Sequence, residues 1–173
     1  MKIIGLSGKK QAGKDVACRV MIESLADMKV VRMAFADALK DEVCAALHIT
    51  REYLESHKPD FRVILQWWGT EWRRKHFGDD YWIRRLEEKV DTSAAEVVIV
   101  TDVRFRNEYA WISGRGIPIR IERPGWDVAD AHASETELDC AAFAFTIANT
   151  GSLADFEREV ERFSRQALEE RLK

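Results

Sequence analysis

Ile3-Ile4-Gly5-Leu6-Ser7-Gly8-Lys9-Lys10-Gln11-Ala12-Gly13-Lys14-Asp15, near the start of the chain, decides how the rest is read. Residues 2–6 have the apolar run of a buried strand. Residues 14–27 place Val16, Val20, Met21 and Leu25 at helical spacing. Between them, Gly8 to Asp15 has the Walker A form G-x-x-x-x-G-K, with Asp15 where Ser or Thr is usual. Gly8 and Gly13 permit backbone angles that a Cβ forbids, so successive N–H groups can turn inward on a phosphate. Lys14 brings a cation to the β- and γ-phosphates, and the following helix adds its positive dipole end. A Gly/Lys-rich turn that only joins a strand to a helix is the plainer alternative. The strand before and the amphipathic helix after favour phosphate binding.

The 173 residues suffice for one domain with a sizeable core. A net charge of −3 argues against coating nucleic acid or an anionic membrane. Cys18, Cys44 and Cys140 form no C-x-x-C pair, which speaks against a disulfide framework or a zinc site and suits a reducing compartment. Neither a secretory signal nor a membrane-spanning run is read, so a cytoplasmic protein is expected.

Strand and helix patterns alternate along the chain. Strands are expected at 2–6, 30–35, 96–101, 117–121 and 143–147. Helices are expected at 14–27, 37–47, 50–56, 60–77 (entered through Pro59), 80–90, 105–113 and 134–141, with a last one after Gly151-Ser152. The helix at 105–113 is expected to end on Gly114 or Gly116 in a left-handed cap, and Pro118 to mark an edge or a strand start. Such alternation implies βαβ crossovers and a five-stranded parallel sheet covered on both faces, with ligands at the carboxyl ends of the strands. The expected organisation is a single domain. Its core spans about 1–36 and 94–173, with a helical insertion at about 37–93 and a lid at about 123–137.

Asp102 ends the run Val97-Val98-Ile99-Val100-Thr101, as in a buried strand that delivers a carboxylate to a metal. Alternatively it caps the next helix. Asp15 is similarly open: it can hold a metal through water or simply occupy the first helical turn. In the stretch Phe61 to Arg74, α-helical spacing puts Arg62, Gln66, Gly69 or Thr70, and Arg73 on one face, with Trp67, Trp68 and Trp72 beside it. That face suits phosphate, a base edge and a stacked ring, although an aromatic cluster at helical spacing is more often core. From Lys58 to Arg85 there are seven Lys/Arg against four Asp/Glu, which suits an anionic small substrate. Asp37 and Lys40 follow the second strand, where each alone reads as a helix cap and a solvated lysine. Arg104 and Asn107 follow Asp102. Arg123 heads the loop before His132-Ala133-Ser134-Glu135, a segment suited to a lid, and His132 reads as structural.

Laid end to end, these segments resemble the phage-type deoxynucleoside monophosphate kinases and, more distantly, the animal phosphomevalonate kinases. The resemblance runs through Leu6–Asp15, Phe35-Ala36-Asp37-Ala38-Leu39-Lys40, Leu65-Gln66, Trp68-Gly69-Thr70-Glu71, Thr101–Phe105 with Asn107-Glu108, His132 with Ser134-Glu135, and Ile147, Asn149 and Gly151-Ser152-Leu153. The Gly-Lys-Asp form itself belongs to that resemblance. It implies a three-layer nucleoside monophosphate kinase-like α/β fold with a helical substrate-binding insertion and a lid. It also implies ATP and Mg2+ as cofactors. Gly8, Lys9, Lys10, Gln11, Ala12, Gly13, Lys14, Asp15 and Val16 would bind ATP, with Asn149 and Gly151 by the adenine. Lys14, Asp15, Asp102 and Arg123 would act in catalysis, and Asp15 and Asp102 would hold the metal, through water if not directly. Asp37, Lys40, Arg62, Gln66, Trp68, Gly69, Thr70, Glu71, Arg73, Arg104, Ser134 and Glu135 would bind substrate. The segment 123–133 has few arginines for a lid, so Arg120, Arg123 or arginines of the insertion would supply that charge.

The expected reaction is phosphorylation of a deoxynucleoside 5′-monophosphate by ATP. The expected partners are those two small molecules, with no direct nucleic acid or membrane partner, in the host cytoplasm if the source is viral. Two alternatives stand beside it: a kinase of the same fold acting on phosphomevalonate or a modified nucleotide, and a nucleotide-binding switch without transfer activity. The sequence leaves the oligomeric state open, a homodimer included.

Overall fold

The computed structural model describes residues 1–125 and 132–169, and the chain divides into two compact units. The first is Met1–Arg32 with Ala94–Lys173, the second Met33–Ser93.

The first unit is built on β1 (Lys2–Ser7), β2 (Val30–Met33, whose last residue is counted with the second unit), β3 (Val97–Val100), β4 (Gly116–Glu122) and β5 (Phe145–Ala148). The sheet order is β2-β3-β1-β4-β5, with β1 parallel to β3 and β4, and β4 parallel to β5. Every side chain of β3 is buried, as expected for a central parallel strand covered on both faces. Helix α1 (Lys14–Ser24) and the terminal helix, Leu153–Glu169, contribute Val20, Met21, Phe156 and Val160 to the core under β1 and β4. An Arg19–Glu157 ion pair of 2.5 Å joins their outer faces.

The second unit is helical. It contains α2 (Phe35–Leu47), α3 (Arg51–Ser56), α4 (Lys58–Gln66), a π-helical segment (Trp67–Arg74), α5 (Lys75–Phe77) and α6 (Tyr81–Asp91). Thr50 caps α3 by accepting from Tyr53 N at 3.1 Å, and Pro59 sits in the first turn of α4. Trp82 of α6 is buried and donates its indole N–H to Gly69 O at 2.9 Å, which fastens α6 to the π-helical segment.

Several sequence expectations are corrected. The helix expected at 60–77 is α4, then the π-helical turns, then α5. Helix α2 starts at Phe35 and shortens β2. The helix expected at 134–141 is α8, Ala133–Thr136 only. Helix α7 (Arg106–Arg115) runs through Gly114, and Gly116 is extended (φ −167°) instead of left-handed. Glycine is needed at 116 for another reason. A Cβ there would lie 1.9 Å from Ile3 O, because β4 begins hard against β1. Pro118 lies in an interior strand, but β5 pairs with β4 only from Ile119 onward, so the proline falls where β4 has β1 alone beside it.

Candidate active site

The loop from β1 to α1 takes the shape its glycines allow. Gly8 (φ 149°), Gln11 (φ 63°) and Gly13 (φ 112°) all have positive φ. A Cβ on Gly8 would stand 2.4 Å from Ile121 O, so no larger residue fits. The Ala12 N–H donates to Lys9 O at 3.1 Å and closes the turn. Helix α1 starts at Lys14 with no side chain capping its first N–H groups, the arrangement that receives a phosphate. Asp15 is exposed and Val16 half-buried in its first turn, and Lys10 is exposed on the loop.

Lys14 Nζ curls back over the loop, donating to Gly8 O (2.6 Å) and Lys9 O (2.8 Å). Burial pushes its pKa down to about 8, and the nearby Arg104 guanidinium adds to that. Glu135, Asp15 and Asp102 oppose it. One further cation and three carboxylates therefore act on Lys14 at the head of the loop.

Each has a local reason for its place. At the end of β3, the Val103 N–H donates to Leu6 O at 3.1 Å and ties the segment carrying Asp102 to β1. The buried Glu108 carboxylate accepts from Arg104 N (2.8 Å) and Phe105 N (3.1 Å), fixing the turn into α7. Arg104 Nη1 donates to Ser134 O at 3.4 Å and pairs with Glu135. Lys9 Nζ donates to Glu135 O at 2.7 Å and pairs with Asp139 at 2.5 Å. Arg120 donates to Leu138 O at 3.0 Å. His132 caps α8, accepting from Ser134 N.

Beyond β4, Arg123 donates to Gln11 O at 3.4 Å. Lys9, Ala12, Arg120, Ile121, Glu122, Arg123 and Pro124 line a cleft of about 280 Å³ beside the loop. Asn149 does not stand apart from the phosphate loop: its Nδ2 donates to Ala12 O at 2.9 Å. Gly151 is exposed at the turn into α9 (Leu153–Glu169), which Ser152 and Asp155 cap reciprocally. Of the lid expected at 123–137, residues 126–131 lie outside the described residues.

In the second unit, Lys40 is buried and pairs with Glu55 at 2.5 Å. Asp37 lies in the first turn of α2 and pairs with Arg51 at 2.9 Å; Arg51 also reaches Asp41 and Glu55. Arg62, Gln66, Trp68 and Thr70 are half-buried, and Gly69 is buried with Leu39 3.0 Å from the place of a Cβ. Glu71 pairs with Lys75. The single face drawn from Arg62 to Arg73 does not carry through the π-helical turns. Their i→i+5 hydrogen bonding widens the turn and brings Trp72 beside Trp67 and Arg73 beside Trp68. The Trp67 and Trp72 rings accordingly stack at 5.9 Å. Trp68 Nε1 (3.0 Å) and Arg73 Nε (2.7 Å) both donate to Glu42, which also accepts from Tyr81 OH at 2.6 Å. The Arg73 guanidinium lies 4.2 Å from the Trp72 ring centroid and 4.8 Å from that of Phe77.

In the sequence Glu108 stands out only as part of the resemblance, without a role, and Asp139 and Glu42 do not stand out at all. The position of Glu108, three residues after Phe105 at a helix start, is a readable capping signal. Asp139 and Glu42 meet their partners only through the fold.

The sequence profile of the phosphomevalonate kinase family matches residues 6–116, from the phosphate loop through the second unit to α7. The chain belongs to the phosphomevalonate kinase family. A protein of Acanthamoeba polyphaga mimivirus provisionally named a deoxynucleotide monophosphate kinase is 29% identical, covering 92% of this chain and 94% of its own. The phosphomevalonate kinase of Drosophila melanogaster is 26% identical, covering 85% and 86%. Among solved structures, the dephospho-CoA kinase of Campylobacter jejuni superimposes with a TM-score of 0.52 at 17% identity, covering 96% of this chain and 97% of that one. That likeness shows the fold, an α/β P-loop kinase fold. Membership of the phosphomevalonate kinase family makes the chain a P-loop kinase of small molecules.

The donor set around the loop suits a hard divalent cation that arrives with a nucleotide. Asp15 and Asp102, both close enough to act on Lys14, would be the carboxylates to hold it, and the described residues hold no cluster of three or more His, Cys, Asp or Glu. Magnesium commonly takes one or two carboxylates and completes its octahedron with phosphate oxygens and water. No described helix is long and apolar enough to cross a membrane.

Proposed function

We propose that this chain transfers the γ-phosphoryl group of ATP to a deoxynucleoside 5′-monophosphate. The inward-turned loop from Gly8 to Gly13 and the α1 N-terminus cradle the donor phosphates. Lys14 neutralises charge that moves onto the β–γ bridge, and Arg104 adds a second cation. Asp15 and Asp102 would hold magnesium, which supplies charge neutralisation and alignment across the phosphates. The acceptor phosphate is already a nucleophile, so the chain needs no general base.

The observation that carries the choice of acceptor is the Trp67 ring, 52% exposed and stacked on Trp72, with Gln66 beside it in sequence. An exposed indole offers a face to a planar base, and an amide offers a donor and an acceptor to its edge. A small aliphatic phosphate has no ring to use that face. Lys40 with Arg62, Thr70 and Glu71 is assigned to the monophosphate by the family resemblance. The mimivirus relative supports the same reading through its name and its full-length match.

Phosphomevalonate is the second reading, favoured by the family match and by the fly relative. ADP release measured with the four deoxynucleoside monophosphates, modified ones and phosphomevalonate separates the two. Turnover with at least one deoxynucleotide at over a hundred times the phosphomevalonate rate is expected. Turnover with phosphomevalonate alone contradicts the proposal.

A further inference from the structure

Arg104 is held in an unusual way for a surface arginine. Its backbone N–H is bound by the buried Glu108 carboxylate. Of its side-chain nitrogens, only Nη1 is engaged among the described residues, by Ser134 O and by Glu135. The other donors of the guanidinium fork remain available for oxygens of a ligand. Burial tells which member of the pair faces outward. The Glu135 side chain is 8% exposed and that of Arg104 34%, so the carboxylate stands behind the cation and the cation faces solvent. The Lys9–Asp139 pair has the reverse order, 27% against 42%, with its carboxylate outward. An outward carboxylate is a counter-ion that a ligand can replace. An inward one is a support.

The support is itself anchored. The Glu135 carbonyl accepts from Lys9 of the phosphate loop at 2.7 Å, and Glu137 of the same segment accepts from Arg106 N at 2.7 Å. Arg104 is also the charged neighbour that most strongly depresses the Lys14 ammonium, so the guanidinium stands within electrostatic reach of the loop lysine.

We propose that Glu135 is a positioning residue for phosphoryl transfer, fixing one side of the Arg104 guanidinium so that its free donors meet the phosphates gripped at Lys14. Glu135 thus acts through Arg104 and does not itself bind substrate, and Arg104 supplies charge that the arginine-poor sequence 123–133 lacks. The proposal rests on the kinase reading above.

A double-mutant cycle on kcat tests it, using Glu135→Gln, Arg104→Met and both together in the full chain, with thermal melts alongside. Glu135→Gln is expected to lower kcat by about tenfold to a hundredfold while the KM for ATP changes less than threefold, because an aligned donor is lost and ground-state binding is not. In the Arg104→Met background the same change is expected to alter kcat less than about twofold, because its route of action is gone. Glu135→Asp, which keeps the charge on a shorter arm, is expected to recover part of the loss. It also reports if Glu135→Gln fails to fold. A Glu135→Gln enzyme with wild-type kcat overturns the proposal, as does an undiminished effect in the Arg104→Met background. Those results leave the kinase reading standing. A wild-type chain that releases no ADP with any phosphorylated acceptor overturns both.

Discussion

Asn149 donates its side-chain amide to the Ala12 carbonyl at 2.9 Å, and its backbone N–H to Glu122 O at 2.6 Å. One residue after β5 thus braces the phosphate loop to the end of β4. A Cβ on Gly13 would meet the same amide at 2.8 Å, so loop and brace are fitted to each other. Asn149→Ala removes a bond to a partly buried carbonyl, a loss of about 1–2 kcal/mol. Calorimetric titration with ATP is expected to show affinity reduced by roughly tenfold. Unchanged affinity would separate Asn149 from the loop.

Lys14→Met should leave the fold intact and abolish turnover, by about a thousandfold or more. The stability effect has a definite sign. The folded-state pKa, about 8, lies below the ordinary 10.5, so burial disfavours the ammonium. The resulting cost is absent above about pH 10.5 and is fully present below about pH 8. The variant is therefore expected to melt higher than wild type at pH 7 and to lose that advantage above pH 10.5. Melting curves across that range check it.

Asp139→Asn should tighten nucleotide binding. Its carboxylate is the outward counter-ion of Lys9 and lies 3.8 Å from Arg120, where a polyphosphate competes for the same cations. A several-fold lower Kd for ATP at low salt is expected, shrinking as salt screens the charges. Weaker binding would show that Asp139 supports Lys9 instead of occupying it.

Glu42 gathers Tyr81, Trp68 and Arg73. Burial works to raise its pKa, but the hydrogen bonds from Tyr81, Trp68 and Arg73 and the Arg73 charge outweigh it, and the net direction is downward from the usual 4.5. Its contribution to stability is therefore full above pH 4.5 and lost as pH falls through the lower folded-state value. Glu42→Gln is expected to cost about 1–3 kcal/mol at neutral pH, since charge-assisted bonds are replaced by weaker ones. The difference from wild type should shrink toward pH 3, as urea titrations at both pH values would show.

The phosphate loop, the order of strands and helices, and the Asp102 strand end were legible because each depends on local pattern: glycine positions, apolar runs, a polar residue closing a buried strand. The π-helical turns were not legible. Trp67 to Arg74 carries a helical composition that does not separate π-helical from α-helical turns, and the wider turns bring Arg73 beside Trp68 on the shared Glu42 carboxylate. Gly116 answers to a close backbone approach and not to a left-handed cap; both demand glycine, and the sequence does not separate them. Arg104 was visible as a candidate, whereas its support by Glu135 joins residues 31 apart and belongs to the fold.

Phosphoryl transfer from ATP to a deoxynucleoside monophosphate can be read by following a labelled γ-phosphate into product. With magnesium, ATP and each deoxynucleoside monophosphate, the label is predicted to appear at the β-position of one deoxynucleoside diphosphate, and not when Lys14 is replaced by Met. Label recovered only as inorganic phosphate, or in a diphosphorylated mevalonate and no nucleotide, would rule out transfer to a deoxynucleotide.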